Sequence, residues 1–88
     1  MQTEAVIANK LGMHLRAAAV FIKLANSFSC DIQIEKEGQS ANGKSIMGLM
    51  ALAASPVTKL VIKCTGADES DACAKLRKLV EDKFGEKE

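Results

Sequence analysis

Apolar and polar residues alternate in two stretches of the chain, which predicts half-buried β-strands. These stretches are residues 31–36 (DIQIEK) and 58–64 (TKLVIKC). Residues 2–8 (QTEAVIA) predict a further strand. Residues 37–38 supply a Glu-Gly turn, which favours a short return strand over residues 39–42.

Two other stretches have the three-to-four-residue apolar spacing of helices. The first runs from Leu15 to about Ser27 and is apolar around most of its circumference, so we expect a mostly buried helix. The second follows Ser45, a favourable N-cap, and is expected to end at Ser55 and Pro56. Its predicted core stripe consists of Ile46, Leu49, Met50 and Ala53.

A third helix is predicted from about Asp68 to Phe84. Acidic residues stand in its first turn and Lys83 in its last, which suits the helix dipole. Its core face is Ala72, Cys73, Leu76, Leu79, Val80 and Phe84. Gly85 is a typical residue to end a helix, and residues 86–88 are expected to fray.

The predicted order of elements is therefore β-α-β-β-α-β-α, within one domain over residues 1–88. Strands with one apolar face, and helices to cover that face, predict a two-layer α+β sandwich. A chain of 88 residues buries only a modest core. A site on the surface is therefore more consistent with its size than a deep pocket.

Composition excludes several classes of function. The net charge is +1 and aromatic content is 3%, which argues against nucleic-acid binding. No segment resembles a signal peptide or a membrane span, and three cysteines without a CxxC pair favour reduced, buried thiols in a cytoplasm. With a single histidine, neither a structural zinc site nor another metal or cofactor is expected.

The start of the first helix breaks a local rule. Histidine is not a favoured N-cap, and Arg16 places positive charge where the helix dipole disfavours it. An anion bound there would resolve the conflict, because free backbone N–H groups and a guanidinium would converge on it. Gly12 allows the tight backbone that leads into this turn.

A histidine beside an anion site indicates phosphoryl transfer through the imidazole. A neutral ring nitrogen is a nucleophile near pH 7, and the groups that favour an anion also stabilise attached phosphoryl oxygens. A phosphoramidate releases its phosphoryl group readily, so His14 is predicted to carry the group and pass it on. The alternative from the residues alone is a solvated surface histidine and arginine.

Two segments resemble the HPr family, the histidine-containing phosphocarriers of the bacterial phosphotransferase system. Residues 9–18 (NKLGMHLRAA) resemble its active-site motif, and residues 42–50 (NGKSIMGLM) its regulatory serine region. The resemblance covers essentially the whole chain. It implies an open-faced β-sandwich, in which three helices cover one face of a four-stranded antiparallel sheet.

The resemblance also implies roles for individual residues. His14 would accept a phosphoryl group on Nδ1 from enzyme I and pass it to an enzyme IIA domain, with Arg16 beside it. The chain would be a covalent carrier in this relay and not an enzyme. Ser45 matches the serine that HPr kinase/phosphorylase phosphorylates, although a helix N-cap alone would also explain it. Such a phosphate would lie next to Lys44.

Apolar residues near these positions are candidates for partner docking: Met13, Ile46, Met47 and Leu49. Periodicity favours core packing for Leu49, and Met47 is the better surface candidate. The usual motif reads His-Ala-Arg-Pro, whereas this chain has Leu15 and Ala17 in place of the alanine and the proline. The rate of transfer and the choice of partner are the properties that these departures affect.

Several alternatives stay open. The first motif is also similar to the nitrogen-related branch of the family, while the Ser45 segment favours the carbohydrate branch. A regulatory adaptor that acts through phosphorylation of Ser45, without carriage on His14, is the rival function. A stand-alone enzyme is disfavoured, because no second acid or base is predicted near His14 and there is no room for a substrate pocket. We expect a monomer, since a carrier must expose its site to two partners in turn.

Overall fold

The computed structural model describes residues 1–52 and 57–86. Its element order confirms the predicted β-α-β-β-α-β-α arrangement. The elements are β1 (Gln2–Val6), α1 (Leu15–Ala25), β2 (Asp31–Lys36), β3 (Gln39–Asn42), α2 (Ile46–Leu52), β4 (Lys59–Thr65) and α3 (Glu69–Glu81). A short C-terminal turn, Lys83–Gly85, follows α3.

The four strands form one antiparallel sheet in the order β1-β4-β2-β3. The last strand of the chain, β4, therefore lies between β1 and β2, with Leu60 opposite Ala5 and Ile62 opposite Ile34. Alternate residues of the strands face the helices, and they are almost completely buried: Ala5, Ile32, Ile34, Leu60, Ile62 and Cys64. This is the predicted α+β open-faced sandwich, with its core between sheet and helices.

The opposite face of the sheet stays open to solvent because it is polar and its charges alternate. Lys59 on β4 lies 3.6 Å from Glu4 on β1, and Lys63 lies 2.6 Å from Glu35 on β2. Exposed ion pairs add little to stability. Their position nevertheless explains why no second layer of helices is needed on this face.

The burial of α1 differs from the prediction. Its buried face consists of Ala17, Ala18, Phe21 and Ala25, whereas Leu15 is 62% exposed and Val20 is 37% exposed. The small alanines let the helix lie close to its neighbours, so that Phe21 fills the core and the flanking apolar residues remain outside. The helix also ends at Ala25, two residues earlier than predicted, and the N–H of Asn26 caps it by donating to the carbonyl of Ile22.

The bounds of β2 and β3 confirm the prediction, whereas those of β1 and β4 differ from it by one or two residues. β1 ends at Val6, although the N–H of Ile7 still donates to the carbonyl of Thr58 at 2.9 Å. β4 begins and ends one residue later than predicted. In α2, Leu49 and Leu52 are buried, whereas Ile46 and Met50 are partly exposed. Ala53 and the predicted helix end at residues 55–56 lie outside the described residues.

The C-terminal part of the chain departs most from the prediction. α3 ends at Glu81 instead of Phe84, and Lys83, Phe84 and Gly85 all have left-handed backbones, with φ of 61°, 57° and 81°. A left-handed conformation costs roughly 1–2 kcal/mol for a residue with a side chain. Burial of the Phe84 ring, which is 4% exposed, compensates for this cost. Gly85 therefore ends this turn and not the helix.

The structure confirms the prediction that the cysteine side chains are buried. Cys30, Cys64 and Cys73 are free and at most 3% exposed. Burial raises the pKa of the Cys64 thiol to about 12, which leaves it protonated and unreactive at neutral pH. Among the helices of residues 1–52 and 57–86, we find none with the length and apolar character needed to cross a membrane.

The carboxylate of Asp68 joins the start of α3 to the segment after α1. It accepts hydrogen bonds from the backbone N–H groups of Ser29 at 2.8 Å and Cys30 at 3.0 Å. The bond from Ser29 is the main cause that lowers the pKa of Asp68. The ionised carboxylate is thus part of the folded structure.

Replacement of Asp68 by Asn is expected to lower the free energy of unfolding at pH 7. Because the folded pKa lies below the unfolded value, this stabilisation is present above about pH 4 and is lost as the pH falls through the folded pKa. Urea unfolding at several pH values should show the gap between wild type and D68N closing in acid. The control is D71N, which removes an exposed partner of Lys75 in the same helix. A gap that does not depend on pH would contradict the assignment.

Gly66 and Gly38 allow a matched test of backbone packing. Both have positive φ, but a Cβ at Gly66 would lie 2.8 Å from the Cα and Cβ of Cys30, whereas one at Gly38 would meet nothing within 4 Å. We expect Gly38→Ala to cost about 1 kcal/mol from backbone strain alone. Gly66→Ala should cost roughly 1–3 kcal/mol more, from overpacking. Chemical denaturation measures both, and equal losses would show that the contact with Cys30 is unimportant.

Candidate functional site

His14 is the N-cap of α1. Its backbone is extended, with φ −83° and ψ 178°, and its Nδ1 accepts a hydrogen bond from the N–H of Arg16 at 3.2 Å. The ring nitrogen thus takes the place of the side-chain oxygen that usually caps a helix. Nδ1 consequently faces the N-terminal turn of α1, which carries no acidic residue.

The loop before His14 is held by buried groups. Gly12 has φ of 69°, which suits a glycine, and its carbonyl accepts hydrogen bonds from the N–H of His14 and from Asn9 Nδ2 at 2.8 Å. The side chain of Asn9 is completely buried, and Met13 is 5% exposed. His14 is therefore presented from a loop that is fixed on its inner side.

Glu86 contacts the other nitrogen of the ring. Its Oε2 is hydrogen-bonded to His14 Nε2, and its Oε1 accepts from Asn9 Nδ2 at 2.9 Å. The bond from Asn9, and next the bond from His14, lower the pKa of Glu86. Two sequence-based expectations need correction: Glu86 packs against the site, and an acidic group does lie beside His14. Residues 87–88, which are also expected to fray, lie outside the described residues.

The missed residue left one signal in the sequence. Phe84 is an aromatic residue in an otherwise polar C-terminal stretch, which indicates that this stretch packs against the domain. Its position next to His14 depends on the left-handed C-terminal turn, which periodicity does not encode. The N–H of Glu86 donates to the carbonyl of Lys83 at 2.9 Å and closes that turn.

Arg16 lies beside the same site. It is exposed, and its positive charge contributes to the lowered pKa of Glu86. An open groove of about 470 Å³ runs along it, so the expectation of no room for a pocket needs correction. The groove is lined by Lys10, Leu11, Arg16, Val20, Phe84, Gly85 and Glu86.

The structure divides the four predicted docking residues into two pairs. Met13 and Leu49 are 5% and 1% exposed, so neither presents an apolar surface. For Leu49 this confirms the core packing that periodicity favours. Met13 fills the core below the loop, and Leu49 lies on the inner face of α2. Ile46 and Met47 are 38% and 80% exposed and remain available.

Ser45 caps α2, which confirms its predicted structural role. Its Oγ accepts a hydrogen bond from the N–H of Gly48 at 3.1 Å. The predicted neighbour of a phosphate there, Lys44, is oriented elsewhere, because its Nζ donates to the carbonyl of Phe28 at 2.8 Å. In the described parts of the chain, no three His, Cys, Asp or Glu side chains form a group that can hold a metal ion.

Comparison with known proteins identifies the family. The chain matches the family described as the PTS HPr component phosphorylation site over residues 1–82. The phosphocarrier protein HPr of Neisseria meningitidis is 44% identical over 82 residues, which cover 93% of this chain and 92% of the relative. This chain therefore belongs to the HPr family of the phosphotransferase system, and its function is that of a phosphocarrier.

Solved structures agree with this assignment. HPr-C-His from Thermoanaerobacter tengcongensis has a TM-score of 0.95 and 40% identity, over 100% of this chain and 99% of that one. Crh of Bacillus subtilis, a catabolite repression protein solved as a domain-swapped dimer, has a TM-score of 0.77 and 40% identity, over 94% and 95% of the two chains. Dimers occur among the relatives, so monomeric state remains a prediction for this chain.

The N-cap role of Ser45 can be measured. Ser45→Ala should lower the free energy of unfolding by about 1 kcal/mol, because it leaves the N–H of Gly48 without its acceptor. Ser45→Asp keeps an acceptor and adds negative charge at the helix N-terminus, so it should remain close to wild type. Urea denaturation of both variants tests this. Equal stabilities of the two variants would contradict the capping role.

Proposed function

We propose that His14 carries the phosphoryl group. The observation that supports this most directly is the cap geometry, in which Nδ1 of the only histidine faces the first turn of α1. In the neutral ring with its proton on Nε2, Nδ1 has the lone pair that attacks phosphorus. The ring is partly exposed, at 24% of its side-chain area, so a partner can reach it.

Arg16 and the helix N-terminus would then stabilise the attached group. Once Nδ1 is bonded to phosphorus, the N–H of Arg16 loses its acceptor and becomes free to donate to a phosphoryl oxygen. The guanidinium of Arg16 adds positive charge beside the same oxygens. The positive end of α1 supplies the remaining stabilisation, because helix N-termini favour anions.

We further propose that the partners are enzyme I as donor and enzyme IIA domains as acceptors. The chain itself is then a covalent intermediate and not an enzyme, since both transfers are completed by the partner's site. The exposed apolar residues Leu15, Ile46 and Met47 are candidates for contact with those partners. The three free thiols are consistent with a reducing compartment, which supports a cytoplasmic carrier. We propose a monomer because a carrier must expose its site to two partners in turn.

The two departures from the usual motif have separate expected effects. Ala17 is completely buried near the start of α1. Because alanine is the best helix former, it preserves the helix start that the usual proline favours. Leu15 is 62% exposed next to His14, so it enlarges the apolar surface at the site. We therefore expect Leu15 to affect partner choice more than chemistry.

Ser45 is the proposed regulatory site, with HPr kinase/phosphorylase as the modifying partner. A phosphate on its Oγ would stand at the N-terminus of α2, where negative charge is favourable. The rival function is a regulatory adaptor that uses Ser45 and leaves His14 unmodified. The similarity to Crh, a catabolite repression protein, is the observation in its favour.

Intact mass spectrometry tests the carrier role. The protein is incubated with phosphoenolpyruvate and enzyme I, and we expect a gain of one phosphoryl group that brief acid treatment removes, because phosphohistidine is acid-labile. His14→Ala should abolish the gain, and Arg16→Ala should slow it by roughly ten- to hundred-fold, as expected for loss of a charge-assisted contact. Labelled protein is then offered to enzyme IIA domains of the carbohydrate and nitrogen branches.

The matched control is Lys23→Ala, which removes an exposed cation from the far end of α1. An unlabelled protein, under conditions in which another HPr is labelled, would exclude the carrier role. Acid-stable labelling of Ser45 by an ATP-dependent kinase would then support the adaptor.

A further inference from the structure

One continuous chain of hydrogen bonds includes the ring of His14. It joins this ring and two further side chains to two backbone groups. Asn9 Nδ2 donates to the carbonyl of Gly12 and to Glu86 Oε1, while Glu86 Oε2 is bonded to His14 Nε2. On the other side of the ring, the N–H of Arg16 donates to Nδ1. The established phosphocarrier function assigns no role to Asn9 or Glu86.

Each bond in this chain has a direction set by its partner. A backbone carbonyl can only accept, so Asn9 must turn its NH₂ group toward Gly12 and therefore also toward Glu86. An ionised carboxylate can only accept, so the atom facing it, His14 Nε2, must carry a proton. A backbone N–H can only donate, so Nδ1 must offer its lone pair to Arg16. Both sides of the ring thus specify the same tautomer.

We propose that Glu86 is a positioning residue for phosphoryl transfer, whose carboxylate holds the proton of His14 on Nε2 and so keeps the Nδ1 lone pair available to phosphorus. This rests on the proposed role of His14 and adds a residue to it. The left-handed C-terminal turn then has a purpose, since its three consecutive residues with positive φ direct Glu86 back to the ring. Backbone strain of this kind is concentrated at functional sites.

Proton and electron balance agree with this role. In the first transfer the Nδ1 lone pair forms the N–P bond, while the bond from phosphorus to the donor breaks and its electron pair leaves with the donor. The proton stays on Nε2, so the ring becomes positive and the carboxylate of Glu86 offsets that charge. In the second transfer a lone pair of the acceptor on enzyme IIA forms the new bond to phosphorus while the N–P bond breaks. The electrons of the N–P bond return to Nδ1, and the same neutral tautomer is restored. Neither step requires a proton to enter or leave.

Partial burial strengthens the hydrogen bond between Glu86 and His14. The side chain of Glu86 is 18% exposed and that of His14 is 24% exposed, so solvent competes little for either group. Asn9 is completely buried, and its Oδ1 has no hydrogen-bond partner within residues 1–52 and 57–86. An unpaired buried acceptor is unfavourable. It is retained here because the opposite orientation of the amide would face its oxygen toward two acceptors.

The positive charges around Glu86 also favour its ionised form. The imidazole of His14 and the guanidinium of Arg16 lie on one side, and Lys10 lines the same groove. These groups, together with the amide of Asn9, favour the ionised carboxylate at neutral pH. Glu86 is therefore an acceptor over the pH range in which a carrier works.

Glu86→Gln is the decisive variant, because it keeps the shape of the side chain but replaces one acceptor oxygen with an NH₂ donor. With its oxygen accepting from Asn9 Nδ2, the glutamine turns its NH₂ toward His14 Nε2, which must then accept and leave the proton on Nδ1. The control, Glu81→Gln, removes a carboxylate that pairs with Arg77 at the end of α3. Circular dichroism and thermal unfolding check that each variant is folded.

Two measurements are made on the full chain. ¹⁵N NMR of the ring nitrogens, at a pH where His14 is neutral, should show the proton on Nε2 in wild type and E81Q and a shift toward Nδ1 in E86Q. The rate of phosphoryl uptake from phosphorylated enzyme I should fall about ten- to hundred-fold in E86Q, the factor that a hydrogen bond to a charged group contributes. E81Q should remain at the wild-type rate.

The outcomes distinguish a failure of the role of Glu86 from a failure of the carrier function of His14. If wild type is labelled on His14 but E86Q keeps both its rate and its tautomer, Glu86 has no positioning role and the carrier function stands. A slower rate with an unchanged tautomer also overturns the positioning role, since the loss is then one of local packing. A wild-type chain that takes up no phosphoryl group overturns the carrier function and the role of Glu86 together.

Discussion

The placement of β4 between β1 and β2 is the constraint on which the rest of the structure depends. Because the last strand pairs with the first, Met1 lies beside the end of β4 and the start of α3. The N-terminal amine of Met1 donates to the carbonyl of Cys64 and lies 3.0 Å from Glu69. α3 can then cross β1 and β4 and deliver the C-terminal turn to the loop that precedes α1. Without this strand order, Glu86 and His14, 72 residues apart, would not meet.

The site combines a rigid inner side with an exposed outer side. Asn9, Met13 and Phe84 are buried and hold the backbone around His14. Arg16 and Leu15 are exposed, and the ring of His14 is partly exposed. A carrier needs both properties, because its nucleophile must be oriented before the partner arrives and must remain reachable by two partners in succession. An enclosed pocket would serve only one of these needs, which explains the open groove beside His14.

Two helix N-termini serve different purposes in this fold. At α1, an imidazole takes the capping position, and the same cap geometry exposes a nucleophile to positive charge. At α2, Ser45 is an ordinary cap whose hydroxyl is bonded to Gly48. A phosphate would be favourable at either terminus. At α1 the exposed guanidinium of Arg16 lies beside the site, whereas at α2 the Nζ of Lys44 donates to the carbonyl of Phe28.

The amino-acid sequence alone is enough to predict the element order, the faces of the strands, the start of α1 at Leu15 and the cap at Ser45. These features depend on local periodicity and on residues within a few positions of one another, which a single sequence records. Even the conflict between Arg16 and the helix dipole was visible, because a helix start is a local pattern. Membership of the HPr family followed from two short motifs of the same local kind.

Which apolar residues near the site are buried, and which side chain contacts the imidazole ring, depends on packing between distant parts of the chain. Met13 and Leu15 are close neighbours in sequence, yet the loop turns one inward and the helix turns the other outward. Glu86 reaches His14 through three left-handed residues, a conformation that few side chains favour. Burial of Phe84 and the hydrogen bond from the N–H of Glu86 to Lys83 stabilise this turn. Periodicity describes faces of regular elements, so it contains no information on how such a turn directs the chain.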